Sequence, residues 1–295
     1  MEGHFKPETM EPPIAIAGAG LQATPLVLAS PHSGTDYPAD FLAASRLDPL
    51  TLRRSEDSYV DEIFGPAVEL GAPMLRACFA RAYLDPNREA YELDPAMFVD
   101  PLPAFVNTRS PRVRVGLGTI ARIVATGEEI YRRKLHFDEA RQRVEGLYRP
   151  YHHALDQLVS ATRERFGCYV LVDCHSMPST PVPGERAPQR SRADIVLGDC
   201  HGAACHPIVM ETAYRVLGDR GYSLTRNTPY AGGFTTAHYG KPAEGGHCLQ
   251  IEISRSLYMD ERSFERKPQM ARLAEDMRAL AVALVALDRN KLRPM

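Results

Sequence analysis

The chain has 295 residues, 44% of them hydrophobic and 24% charged, with 35 basic against 37 acidic side chains for a net charge of −2. That composition supports a buried core, and so even a charge balance offers nucleic acid or an anionic membrane no electrostatic ground for binding. No window approaches eighteen apolar residues, and the first 22 residues lack a basic start followed by an apolar run, so neither a membrane span nor a secretory signal is expected.

The first apolar run, residues 25–30, reads as a buried strand and ends in Ser30-Pro31-His32-Ser33-Gly34. Residues 57–70 carry a helical pattern opened by Asp57, and residues 73–79 give a second strand. Residues 86–117, with five prolines and several arginines, read as irregular. A long helix is expected over 137–166, where Val144, Leu147, Tyr148, Tyr151, Leu155 and Leu158 recur at three- and four-residue steps. Strands follow at 168–173, 193–197 and 248–253, with helices at 207–218 and 263–287 and a second irregular stretch, with four prolines, at 176–192. Long irregular segments in a compact domain are functional loops or disorder, and both of these follow predicted strands, where ligands of open α/β sheets bind. Alternating strands and helices predict one domain over residues 1–295, with a mostly parallel sheet covered on both faces. The six cysteines are scattered without C-x-x-C spacing, which predicts reduced thiols in a cytoplasm and no cysteine-based zinc site.

Two histidines stand where predicted strands end. His32 follows the first, and His175 follows residues 168–173 in Asp173-Cys174-His175-Ser176. Imidazole is a common zinc ligand, and a catalytic site takes three protein ligands with a fourth position open. A carboxylate usually completes such a set; Asp57 is the candidate, with Glu56 beside it as the alternative. Asp173 is placed to accept from the imidazole of His175 and fix its tautomer. A lone strand-end histidine is more often structural, and Asp57 can equally be a first-turn acid of its helix.

Six segments taken in order resemble the N-formylglutamate amidohydrolase family: SPHSGTDYP (30–38), EDSYVDEI (56–63), LDPNR (84–88), DCHSMPS (173–179), DIVLGD (194–199) and LQIEISRSLY (249–258). The family looks related to zinc carboxypeptidases and aspartoacylase. The resemblance therefore implies a three-layer α/β/α fold with a mixed, mostly parallel sheet, and one Zn²⁺ held by His32, Asp57 and His175. In the wider carboxypeptidase pattern the acid comes three residues after the first histidine; here that residue is Thr35, so Asp57 takes the place.

By the same resemblance Glu252 is the general base, and Asn87 with Arg88 binds the substrate carboxylate. Alternation puts Gln250, Glu252 and Ser254 on one strand face, and a purely structural Glu252 would pair with a neighbour such as Arg255. Arg81, Arg88 and Arg122 are the candidates for stabilising the oxyanion, and Arg122 is also assigned to the substrate site. The implied activity is hydrolysis of N-formyl-L-glutamate to formate and L-glutamate, as in histidine degradation. The alternatives are another small N-acyl amino acid or short peptide as substrate, or an inactive member that binds a small carboxylate.

Overall fold

The computed structural model describes residues 12–124, 127–180 and 193–294. Among them seven strands, β1 (Ile14–Ala17), β2 (Leu26–Ser30), β3 (Met74–Ala77), β4 (Tyr169–Met177), β5 (Ile195–Gly198), β6 (Leu224–Arg226) and β7 (Gly246–Ser254), form one sheet in the order β1-β3-β2-β4-β7-β5-β6. The four central strands β3, β2, β4 and β7 run parallel. β1 joins one edge antiparallel, and β5 joins β7 antiparallel with β6 parallel to β5. Helices cover both faces, so the fold is a three-layer α/β/α arrangement around a mixed sheet.

Side-chain alternation sorts the residues of the central strands into two layers. Leu26 and Leu28 of β2, Val170, Val172 and Cys174 of β4, and Leu249, Ile251 and Ile253 of β7 face the helices Val60–Phe64, Pro207–Gly218 and Gln269–Val285. Val27 and Ala29, Tyr169 and Leu171, and Cys248 pack into the other layer, against the helix Arg149–Phe166. The first face is apolar along β4 and β7 except at Ser176, near the end of β4, and His247, near the start of β7. The second is apolar only at the start: along β4 it continues with Asp173 and His175, and along β7 with Gln250 and Glu252.

Several elements differ from the pattern read in the sequence. The helix expected at 57–70 is an α-turn, Val60–Phe64, followed by a tighter turn, Gly65–Leu70, so Asp57 stands ahead of the helix. The strand expected at 168–173 runs on to Met177, so His175 lies within β4. The helix over 137–166 is continuous but changes pitch: Phe137–Arg143 is α, Val144–Tyr148 is a π-turn and Arg149–Phe166 is α again. Strands β1 and β6 and the short helices Ala39–Ala44, Pro49–Arg53, Pro111–Arg114 and Phe234–Tyr239 carry too few residues for periodicity to register. Of the irregular stretch read at 176–192, residues 181–192 lie outside the described residues. Among the described residues, no helix is long and apolar enough to cross a membrane.

Candidate active site

The parallel register sets His175 opposite Glu252, and Asp173 opposite Gln250. β2 brings Ser30 to the same end of the sheet, and the chain turns there through Pro31 to His32. The amide of Asp57 donates to the carbonyl of His32 at 2.9 Å, which fixes the acid beside the histidine that precedes it by 25 residues. Nδ1 of His32, Nδ1 of His175 and Oδ2 of Asp57 then form a nearly equilateral triangle, with edges of 3.1, 3.1 and 3.2 Å. All three residues are buried.

The far side of each imidazole is held by a second carboxylate. His32 Nε2 lies 2.7 Å from Asp85 Oδ1, and His175 Nε2 lies 2.8 Å from Asp173 Oδ1. With Nε2–H committed there, each ring turns its Nδ1 lone pair toward the spot that Asp57 Oδ2 also faces. The other oxygen of Asp57 accepts from Ser176 Oγ and Arg255 Nη2, both at 3.1 Å. With both rings neutral, three electron-rich atoms would converge with no donor among them, so a positive charge, a proton or a metal ion, belongs at their centre. Burial would raise the Asp57 pKa, but its hydrogen bonds with His175 and His32 hold it well below the usual carboxylate range. Burial would lower the His175 pKa, but the charge of Asp173 and hydrogen bonds to Asp173 and Asp57 raise it well above the histidine range. A metal ion suits the same centre: donors about 2.0–2.1 Å from one tetrahedral ion stand about 3.3 Å apart, close to the edges found. The buried group His32, Asp57 and His175 can hold a metal ion.

Beside the triangle opens a cavity of about 280 Å³. His32, His175 and Glu252 line its floor, and Arg81, Asn87, Arg88, Arg112 and Arg255 line its walls. Burial pushes the Glu252 carboxyl up to about 7, against the lowering charge of His175. Gln250 Nε2 donates to Glu252 Oε1 at 3.0 Å. Asp85 stays well below the usual range despite burial, because Arg88, His32 and Arg81 surround it. Asn87 Oδ1 accepts from the Thr235 amide at 2.8 Å, and its Nδ2 lies 3.0 Å from His175 Nε2. The amide fits because residue 233 is glycine: a Cβ there would fall within van der Waals contact of Cγ, Oδ1 and Nδ2 of Asn87.

Residues 24–259 match the model of the N-formylglutamate amidohydrolase family. The chain belongs to that family. N-formylglutamate deformylases from Pseudomonas putida and Pseudomonas aeruginosa are 28% and 27% identical to it over 240 and 276 residues, covering 80% and 90% of this chain and 82% and 95% of theirs. A crystal structure of N-formylglutamate amidohydrolase from Ralstonia eutropha JMP134 is 39% identical, with a TM-score of 0.86 over 92% of this chain and 98% of that one.

The structure of this family member brings His32, Asp57, His175, Asp173, Asn87, Arg88 and Glu252 to one end of the sheet. Arg122 does not join them: it pairs with Asp94 at 3.0 Å and Glu129 at 3.3 Å and is absent from the cavity lining. Glu56, the alternative acid, points away from the triangle and accepts from Tyr37, Arg53 and Ser58. Arg255 pairs with Asp57 at 3.1 Å, so it is not the partner that a structural Glu252 would have. Asp85 looks in the sequence like part of a turn; the signal for it is an acid two residues before Asn87-Arg88, together with a second histidine needing a carboxylate for its far nitrogen.

Proposed function

We propose that this chain is a zinc-dependent amidohydrolase that cleaves N-formyl-L-glutamate to formate and L-glutamate. The observation that carries the reading is the triangle of His32 Nδ1, His175 Nδ1 and Asp57 Oδ2 at the floor of a cavity that also holds Glu252 and several arginines. The deformylase names of its relatives point to the same chemistry.

When bound by these three residues, zinc supplies Lewis acidity toward the scissile carbonyl and the attacking water. Glu252 accepts a proton from that water as its oxygen bonds to the formyl carbon. It then delivers the proton to the amide nitrogen as the C–N bond breaks, releasing formate and the free amine. A carboxyl raised to about 7 by burial is matched to both halves of that task. Arg88 offers its guanidinium to the α-carboxylate of the substrate, in the bidentate geometry that lysine cannot reproduce. Arg81, held by Asp85 at 3.1 Å, faces the same cavity and is placed to stabilise the oxyanion.

The test is turnover by zinc-loaded protein of N-formyl-L-glutamate, N-acetyl-L-glutamate and a glutamate-ending dipeptide. Formate and glutamate should appear in equal amounts from the first and at least tenfold faster than glutamate from the others. Glutamate released from the dipeptide, with no formate from the formyl substrate, would replace this reading with a peptidase.

A further inference from the structure

The charges around the cavity do not cancel. Arg255 is committed to Asp57. Arg81 and Arg88 share one carboxylate, Asp85, at 3.1 and 3.5 Å, and Asp85 also receives His32. Arg112 lines the cavity with no ion-pair or hydrogen-bond partner for its guanidinium among the described residues.

Arg112 is exposed, but its backbone is fixed. It belongs to the short helix Pro111–Arg114, which is capped by Ser110 Oγ accepting from the Val113 amide at 3.0 Å and anchored by buried Val113. Ser110 Oγ also donates to Glu92. The carbonyl of Arg112 accepts from the Leu117 amide at 2.9 Å, and the carbonyl of Leu117 accepts from Arg88 Nε at 2.9 Å. One residue, Leu117, thus links the backbone of Arg112 to the guanidinium of Arg88 and sets both cations around one space. The same cavity is also lined by the apolar side chains of Val115, Leu117 and Ile123. Two guanidinium groups on one cavity with apolar lining, that of Arg88 held and that of Arg112 unclaimed, match a ligand with two acid groups separated by methylenes.

We propose that Arg112 receives the side-chain carboxylate of the substrate while Arg88 holds the α-carboxylate, so that the cavity selects N-acyl derivatives of amino acids with an acidic side chain. The inference rests on the amidohydrolase reading above, and it assigns the side-chain specificity to one residue. The methylenes of the substrate lie along Val115, Leu117 and Ile123.

The experiment measures formate release from N-formyl-L-glutamate and N-formyl-L-glutamine by wild type, Arg112→Gln and Arg112→Lys. Wild type should prefer the glutamate substrate. Arg112→Gln should lose on the order of 10- to 100-fold in kcat/KM for it, the worth of one charge-assisted contact, with the loss in KM and the glutamine substrate changed less than threefold. Arg112→Lys should recover part of the loss. A glutamate-to-glutamine ratio within threefold of wild type in Arg112→Gln would overturn the inference and leave the amidohydrolase reading intact. Failure of wild type to release formate from either substrate would overturn the reading instead. Calorimetric titration with L-glutamate against L-glutamine then still decides Arg112: a preference for glutamate that Arg112→Gln abolishes supports it, and equal binding by both proteins sinks it.

Discussion

Glu252 shares its face of β7 with Gln250, lies opposite His175 and touches Gln250 Nε2 through one oxygen. Arg255, the partner a structural Glu252 would have, is bound to Asp57, and the cations whose charge Glu252 feels, His175 and Arg81, keep Asp173 and Asp85, so replacing Glu252 with Gln removes a proton carrier without stranding a cation. Glu252→Gln is therefore expected to keep its metal content and melting temperature while kcat falls by about 10²–10⁴-fold, the usual worth of a general acid–base. A stable, metal-loaded variant turning over within threefold of wild type would take Glu252 out of the reaction. Gly233 gives a second test at this scale, because its missing Cβ is what admits the Asn87 amide. Gly233→Ala should push Asn87 off the Thr235 amide and away from His175, and kcat/KM should fall at least tenfold. Gly233→Ala at wild-type activity would show that Asn87 does not need that seat.

The segment that carries Asp85, Asn87 and Arg88 is irregular, yet one helix grips its carbonyls. Arg143 Nη1 donates to the Tyr83 carbonyl at 3.1 Å, His152 Nε2 to that of Pro86 at 2.8 Å, and Tyr148 Oη to that of Arg88 at 2.8 Å. His152 does this as a neutral ring, accepting from Tyr239 Oη at Nδ1. Burial lowers its pKa to about 4. Because the folded-state value lies below the unfolded value near 6.5, the unfolded chain binds the extra proton first. Stability from this residue is thus complete above about pH 6.5 and is lost as pH falls toward 4, by on the order of 2–3 kcal/mol. Denaturant titrations at pH 7 and pH 4.5 should show the loss in wild type and a smaller one in His152→Gln; equal losses would remove His152 as its source. None of this grip was legible in the sequence. Tyr148 reads there as a member of an apolar stripe and His152 as a residue inside the same helix, which that stripe places correctly, but what these buried polar tips hold depends on residues some sixty positions away.

On the scale of the molecule, the apolar helix layer and the site occupy opposite faces of the same strands. Metal binding therefore caps a sheet that is already packed, and chelation should abolish turnover while leaving the far-ultraviolet dichroism unchanged. Adding zinc back at about 100 times its Kd should stabilise the fold by about 2.7 kcal/mol through mass action and restore activity. Loss of secondary structure on chelation would mean that the site is part of the folding core. The parallel centre of the sheet and the convergence of His32 and His175 were readable because buried strands announce themselves as short apolar runs whose ends can be marked. The antiparallel edges β1 and β5–β6 were not, since a run of three or four residues carries no direction. Arg122 was misplaced for a related reason: an arginine in an irregular stretch shows its charge in the sequence, but not the acids, Asp94 and Glu129, that claim it. The π-turn Val144–Tyr148 has one further consequence for the molecule as a whole. It starts just after Arg143, ends in Tyr148 and precedes His152, so it sets the angular phase between grips on the same segment. Deleting Gly146 would let the turn rewind as α-helix with that phase nearly intact, because five residues at the slower π winding and four at about 100° each both make a little over one turn. A residue removed from the α-wound stretch between Tyr148 and His152 would instead turn the parts on either side by about 100°, so that His152 no longer faced the segment together with Arg143 and Tyr148; the alignment of Arg88 with the floor of the cavity is in this sense a matter of timing along a screw.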